Sequence, residues 1–176
     1  MPLLRALEKP LWTPRLRLEP MTPALAEAAA SGPVALADAL NADIPEAWAP
    51  AGMRLLAQVR RAGASAAAPI RAVVVHSVDE RVIGDVRFEP ALLSEATAEI
   101  GYEIITAYRR QGYAAEATRR VIDWLFDEAG AETVIAGCHM RNRASVRTLR
   151  KLGFLLDGAR RGRAFWWVMT PDIRPR

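Results

Sequence analysis

Cysteine, histidine, lysine and long apolar runs are all scarce in this chain, and each shortage removes a class of protein. Its 176 residues include one cysteine, Cys138, so no internal disulfide can form, which suits a reducing compartment. His76 and His139 have no companions at ligand spacing, and one cysteine cannot complete a zinc site, so no metal is expected. No run approaches the roughly 18 apolar residues that would cross a bilayer. The segment from Met1 to Pro10 carries Arg5, Glu8 and Lys9 instead of the apolar core of a leader. A soluble, cytoplasmic chain with no membrane segment is the expectation. There is no internal repeat, and low complexity is confined to the alanine-rich stretch from Ala62 to Ala68.

With 51% hydrophobic and 25% charged residues, the composition is that of an ordinary globular protein of about one domain. Its 24 basic residues, two of them lysines (Lys9 and Lys151), stand against 20 acids for a net charge of +4. The calculated pI near 9.8 invites a nucleic-acid reading. The basic clusters Arg109-Arg110, Arg119-Arg120, Arg141-Asn142-Arg143 and Arg160 to Arg163 argue against it, because none carries the interleaved aromatics of a single-strand platform. An anionic small molecule or an acidic partner explains them equally well.

Periodicity divides the chain. Trp12 to Glu19 alternates polar and apolar residues as a half-buried strand does. Thr22-Pro23 then opens a helix, with threonine as N-cap and proline at the first helical position. Helical pieces are predicted over Pro23 to Ala30, Val34 to Leu40 and Pro50 to Arg61, followed by β-branched strands over Ile70 to Val78 and Arg81 to Phe88 around the turn Asp79-Glu80. A loop from Glu89 to Thr97 leads to a third strand, Ala98 to Ile105. From Gly112 to Ala129, Ala114, Ala117, Val121 and Leu125 share one helical face while Glu116, Arg119, Arg120, Asp123 and Asp127 share the other; Gly130 stops the helix. A strand from Thr133 to Met140, a helix from Asn142 to Leu152 capped by Asn142 and Gly153, and strands at Phe154 to Leu156 and Ala164 to Met169 complete the chain, the last two joined by an arginine-rich turn. The expected architecture is one α+β domain with a mixed, mostly antiparallel twisted sheet flanked by helices.

The chemistry points to Tyr108-Arg109-Arg110-Gln111-Gly112-Tyr113-Ala114, where a strand ends and a helix begins. A helix N-terminus presents unpaired N–H groups and the positive end of the macrodipole, and Gly112 with small Ala114 and Ala115 lets an anion approach closely. No Gly-Lys-Ser/Thr follows, which disfavours nucleoside triphosphate hydrolysis, and the three-glycine spacing of a dinucleotide fingerprint is missing. The plainer alternative is a glycine-containing connection with two solvated arginines.

Arg109-Arg110-Gln111-Gly112-Tyr113-Ala114 resembles the Arg/Gln-x-x-Gly-x-Gly/Ala loop of the GNAT superfamily of acyl-CoA-dependent N-acyltransferases. Ala98 to Tyr102, Asp123 to Phe126, Asn142 to Ser145 and Lys151 to Phe154, taken in order with the opening Thr13 to Leu18, are similar to the Rim-type branch, the ribosomal-protein N-terminal acetyltransferases. The resemblance spans almost the whole chain; its departure is Arg110, where the family often has glycine. It implies acetyl-CoA as acyl donor, with the pyrophosphate on the N–H groups from Arg110 to Ala114, the pantetheine arm on the backbone of Ile104, Ile105 and Thr106, and Asn142 reaching that arm from the other side. Arg109 and Gln111 belong to the same cofactor loop. It also implies three sections: an N-terminal strand and acceptor-side helices over residues 1–68, antiparallel strands over 70–105, and a CoA-binding half over 106–176.

Acetyl transfer needs a neutral amine, so a carboxylate must accept a proton directly or through water. Glu99, on the strand leading to the loop and on one face with Gly101 and Glu103, is the candidate base, as its counterpart is proposed to be in Rim-type enzymes. It could instead be an exposed carboxylate paired with Arg87 or Arg71. Many family members carry a tyrosine acid seven residues after the asparagine, but Leu149 stands there; Ser145, three residues after Asn142, is the substitute the branch suggests. Cys138 reads chiefly as a packing residue, and Trp48 and Trp124 as core. The acceptor is expected to be a primary amine, either a protein N-terminus or a small molecule. The competing reading is a catalytically silent acyl-CoA-binding module. Whether two chains pair as a homodimer through an exposed strand edge is open.

Overall fold

The computed structural model describes residues 7–48, 70–91, 94–161 and 164–175. Eight strands form one sheet in the order β1-β2-β3-β4-β5-β6-β8-β7. The elements are β1 (Leu11–Trp12), β2 (Leu16–Pro20), α1 (Pro23–Ser31), α2 (Pro33–Leu40), β3 (Ile70–His76), β4 (Arg81–Ala91), β5 (Ser94–Ile104), a 3-10 turn (Thr106–Tyr108), α3 (Tyr113–Asp127), β6 (Thr133–Cys138), α4 (Arg143–Leu152), β7 (Leu155–Arg161) and β8 (Ala164–Met169). Neighbouring strands are antiparallel except β5 and β6. This is the α+β architecture expected, with four α-helices among the described residues.

Local chemistry explains the departures from expectation. The opening segment folds as a hairpin instead of one strand. Thr13 closes it, its hydroxyl oxygen accepting from the Leu16 amide at 2.9 Å while its own amide donates to the Leu16 carbonyl, also at 2.9 Å. Pro14, with no N–H to contribute to a ladder, occupies the corner. The segment from Glu89 to Thr97, expected as a loop, is mostly ladder, with Glu89 opposite Glu99 and Pro90 opposite Ala98. Pro90 is tolerated because β3 ends opposite Phe88, so its missing N–H costs no bond on that side. Arg160 and Arg161 belong to β7 and not to the turn. The helix expected over Pro50 to Arg61 lies outside the described residues.

One face of the sheet packs under α3. Its Ala117, Val121 and Leu125 are fully buried, and the Trp124 ring lies 5.4 Å from Phe88 of β4; each such large apolar side chain contributes about 1.5–3 kcal/mol of burial. Glu116, Arg119, Arg120, Asp123 and Asp127 stay off the core, as the helical period requires. On the other face Arg17 donates to the Leu40 carbonyl at the end of α2, 2.7 Å away. Arg71 pairs there with Asp85 in a buried ion pair. Burial pushes the Asp85 carboxyl up, the Arg71 charge opposes it, and the Trp48 indole N–H lies nearby, short of hydrogen-bond geometry.

The register between β5 and β6 positions the site. These parallel strands pair only at Thr97, Ala98 and Glu99 against Thr133, Val134 and Ile135. Past that point β5 stays on β4 and β6 on β8, so the two strands part in a V at their C-terminal ends. The Ile105 amide donates to the Ile83 carbonyl at 2.8 Å, and Gly84 lies opposite Ile104. By alternation, the backbone N–H and C=O groups of Ile100, Tyr102 and Ile104 point away from β4 and into the V.

Candidate active site

A groove of about 620 Å³ continues the V, walled by the end of β5, the connection to α3, the first turn of α3 and one side of α4. Ile104, Thr106, Arg109, Arg110, Gly112, Tyr113, Ala114, Asn142 and Ser145, all singled out from sequence, line it. Ile105, Gln111 and Glu99 fall outside that lining. Ile105 is committed to Ile83 through its amide, and the Gln111 side-chain amide donates to the Ala107 carbonyl at 3.2 Å.

Backbone conformation shapes the loop. Arg110 and Gly112 are both left-handed, with φ of 62° and 89°. Gly112 is the N-cap of α3 and has no side chain to offer the helix, so the amides of Tyr113, Ala114 and Ala115 have no acceptor among the described residues. A Cβ at Gly112 would meet only the Arg15 Nη2, at 3.5 Å, and Gly112, Tyr113, Ala114 and Ala115 all line the groove. Uncapped amides, the groove beside them and two arginines make a cradle that fits a diphosphate.

Arg15 braces the cradle from the β1–β2 turn. Its Nε donates to Glu116 at 2.7 Å, its Nη1 to the Gln111 carbonyl at 3.2 Å, and its guanidinium lies 4.3 Å from the Tyr113 ring centre. The Thr13 hydroxyl donates to the same Glu116 carboxylate at 2.6 Å. Burial pushes the Glu116 carboxyl up, but Thr13 and Arg15 outweigh it and hold it below the ordinary carboxylate range. Behind the loop the Tyr113 hydroxyl and His76 Nε2 are 3.0 Å apart, and Asp79 stands 3.1 Å from the other ring nitrogen.

At the opposite end, Glu99 is the last β5 residue paired with β6, at the vertex of the V, with Glu89 directly across from it on β4. Arg71, one partner expected for Glu99, is in a buried ion pair with Asp85. Arg87 lies over Gly101, where a Cβ would come within 2.6 Å of its guanidinium carbon.

Between vertex and cradle, the Tyr102 hydroxyl reaches from β5 to α4 and donates to the Ser145 carbonyl at 3.3 Å. Burial pushes its pKa up to about 12, so it remains a proton-bearing donor at physiological pH. Asn142 caps α4 by accepting from the Ser145 amide at 3.2 Å, which leaves the NH2 end of its side chain for another partner. Leu149, where a tyrosine acid would stand, is buried in the core. The Cys138 thiol is buried and pushed up, so it is held as a thiol.

Tyr102, Arg147, Thr148 and Lys151 line the groove and Arg15 holds its loop, none of them a site residue in the sequence reading. The four-residue spacing of Arg147 and Lys151 on an amphipathic helix was an available signal; nothing near Arg15 in sequence points to Gln111.

The acetyltransferase (GNAT) domain family matches residues 15–155, and the chain belongs to that family. Among curated proteins it is 28% identical over 98 residues to the uncharacterized N-acetyltransferase YjdG of Bacillus subtilis, a match covering 56% of this chain and 58% of that protein. It is 35% identical over 82 residues to YoaA of the same organism, also an uncharacterized N-acetyltransferase, covering 47% of this chain and 46% of YoaA. The chain thus spans about half the length of these relatives. Among solved structures it shares its fold with the ribosomal-protein-S5-alanine acetyltransferase from Vibrio fischeri, at a TM-score of 0.67 and 18% identity over 96% of this chain and 100% of that one. A GNAT-family acetyltransferase from Bacillus anthracis gives 0.65 and 18% over 93% and 99%.

Proposed function

We propose that this chain is an acetyl-CoA-dependent N-acetyltransferase that moves an acetyl group directly to a primary amine, a protein N-terminus or a small molecule. The parting of β5 and β6 at Glu99 carries the reading, because it joins a carboxylate at one end to uncapped helix amides at the other. From Glu99 to Ile104 the open edge runs about 17 Å at roughly 3.3 Å per residue, and a peptide-like arm extends such an edge as an added strand.

In this reading the amides of Tyr113 to Ala115 hold the diphosphate of CoA, and Ile100, Tyr102 and Ile104 pair with its arm. Arg109 Nε occupies the Ile104 carbonyl at 2.7 Å, so it turns toward the phosphates when the arm lies down. The donor supplies an activated thioester carbonyl. Glu99 takes one proton from the incoming ammonium directly or through water; the N–C bond forms as the C–S bond breaks, and the second proton, shed by the nitrogen as it becomes an amide, passes through water to the departing thiolate. Tyr102 and Ser145 offer hydroxyl groups to that sulfur; Tyr102 swings its O–H from the Ser145 carbonyl to donate a hydrogen bond and not its proton, since its pKa lies above that of a thiol, about 8.5. The chain from residue 106 on supplies the donor half, and the described N-terminal elements β1 to α2 border the acceptor; residues 49–68 of the 1–68 section lie outside the described residues.

The test is thiol release from acetyl-CoA with a panel of amines, for the parent and Glu99→Gln. The expected result is CoA binding retained in both and turnover reduced about 10²- to 10⁴-fold in the variant. Equal binding with no turnover by either protein on any amine would overturn the enzyme reading and leave a silent acyl-CoA-binding module, which the burial of Leu149 would then explain.

A further inference from the structure

We infer that Arg147 and Lys151 of α4, which line the groove together with Arg110, bind a second phosphate, the 3′-phosphate of CoA, and so select CoA over dephospho-CoA. This rests on the reading of the groove as an acyl-CoA site and deepens it. Four cationic side chains, Arg109, Arg110, Arg147 and Lys151, line the groove against one carboxylate, Glu103, a net of three positive charges. The N-terminus of α3 adds about half a charge more. A diphosphate with two negative charges leaves a surplus of about one and a half, close to the −1.5 to −2 of a phosphate monoester near pH 7.

The cations are not equivalent. Arg109 is tied to β5, its Nε on the Ile104 carbonyl and its Nη2 3.9 Å from Glu103. Arg110, Arg147 and Lys151 are exposed and make no ion pair among the described residues, although acidic residues are frequent elsewhere on the surface. Arg147 and Lys151 stand four residues apart, so one helical turn, about 5.4 Å, separates them on the same side of α4. Two unpaired cations one turn apart, lining the same groove as a third on the diphosphate loop, can hold an anion beside the diphosphate. The pantetheine end, which runs into the V toward Glu99, meets no cation of this set.

The experiment is calorimetric titration of the full chain with CoA and with dephospho-CoA, for the parent and for the double variant Arg147→Ala/Lys151→Ala, at two salt concentrations. The parent is expected to bind CoA about ten-fold more tightly than dephospho-CoA, the scale of two or three partly exposed charge contacts to one phosphate. The double variant is expected to bring that ratio to near one, and added salt to shrink the parent's preference. Both side chains are exposed, so an unchanged melting temperature checks that the variant is folded. Equal binding of both ligands by the parent would overturn the inference and leave the acyl-CoA reading standing. So would a variant that keeps the full preference. Binding of neither ligand by the parent would refute the acyl-CoA reading, and this inference with it.

Discussion

Replacing Gly112 with alanine tests the link between loop geometry and ligand binding. Gly112 has φ of 89°, and an added Cβ meets only the Arg15 Nη2, at an ordinary contact distance of 3.5 Å. The cost is therefore conformational, about 1–2 kcal/mol for an L-residue held in the left-handed region. That strain must surface in one of two places. If the loop holds its shape, the melting temperature falls by roughly 2–8 °C for a chain of this size. If the loop relaxes, the amides of Tyr113 to Ala115 leave their alignment and CoA binds about five- to thirty-fold more weakly. Gly158 provides the matched control. It has φ of 80°, nothing lies within 4 Å of its missing Cβ, and it sits in the β7 irregularity and not in the groove. Gly158→Ala is expected to lower the melting temperature by a similar amount and to leave CoA affinity unchanged. Thermal unfolding and calorimetric titration read both quantities. A Gly112→Ala protein as stable and as tight-binding as the parent would refute the reasoning, as would a Gly158→Ala protein with equally weakened CoA binding.

Gly84→Ala places a Cβ 2.0 Å from the Glu103 carbonyl oxygen, a backbone atom that cannot yield, so denaturant unfolding is expected to show a loss of about 3 kcal/mol or more. Gly101→Ala meets the mobile Arg87 guanidinium instead and is expected to cost less than about 1.5 kcal/mol by the same assay. Arg15→Ala removes the brace on Gln111, Glu116 and Tyr113, and is expected to raise the KM for acetyl-CoA several-fold with kcat nearly kept, a loss of about 1 kcal/mol. Because the native Glu116 carboxyl is held low, its stabilising contribution is complete above the unfolded value of about 4.3 and disappears as pH falls through the lower native value. Glu116→Gln should therefore flatten the acid limb of a plot of melting temperature against pH; an unchanged limb would show that Glu116 is not responsible for it.

Where the signal was local, the sequence was readable. Ala117, Val121 and Leu125 repeat at the helical period between Gly112 and Gly130, and α3 forms there with those three side chains buried. The uncapped start of α3 was legible for the same reason: a helix N-terminus preceded by glycine exposes its amides whatever packs elsewhere. The ladder over Glu89 to Thr97 was not legible, because two glutamates and a proline carry no strand pattern of their own and β4 and β5 enforce the pairing on each other. Nor was the brace, since Arg15 meets Gln111 across 96 positions of sequence. The buried pair of Arg71 with Asp85 was hidden for the same reason, since two strands bring these residues together across 14 positions of sequence. Tyr102 entered the sequence reading only as the end of the stretch from Ala98, and the approach of α4 gives its hydroxyl a partner.

The central claim, that the amides opening α3 hold the phosphates of an acyl-CoA, is tested most directly by following the backbone amide resonances of Gly112, Tyr113, Ala114 and Ala115 while CoA is added. The account expects these four signals to move furthest and to saturate together with the binding heat. CoA that binds while leaving them in place, or that does not bind, would contradict it.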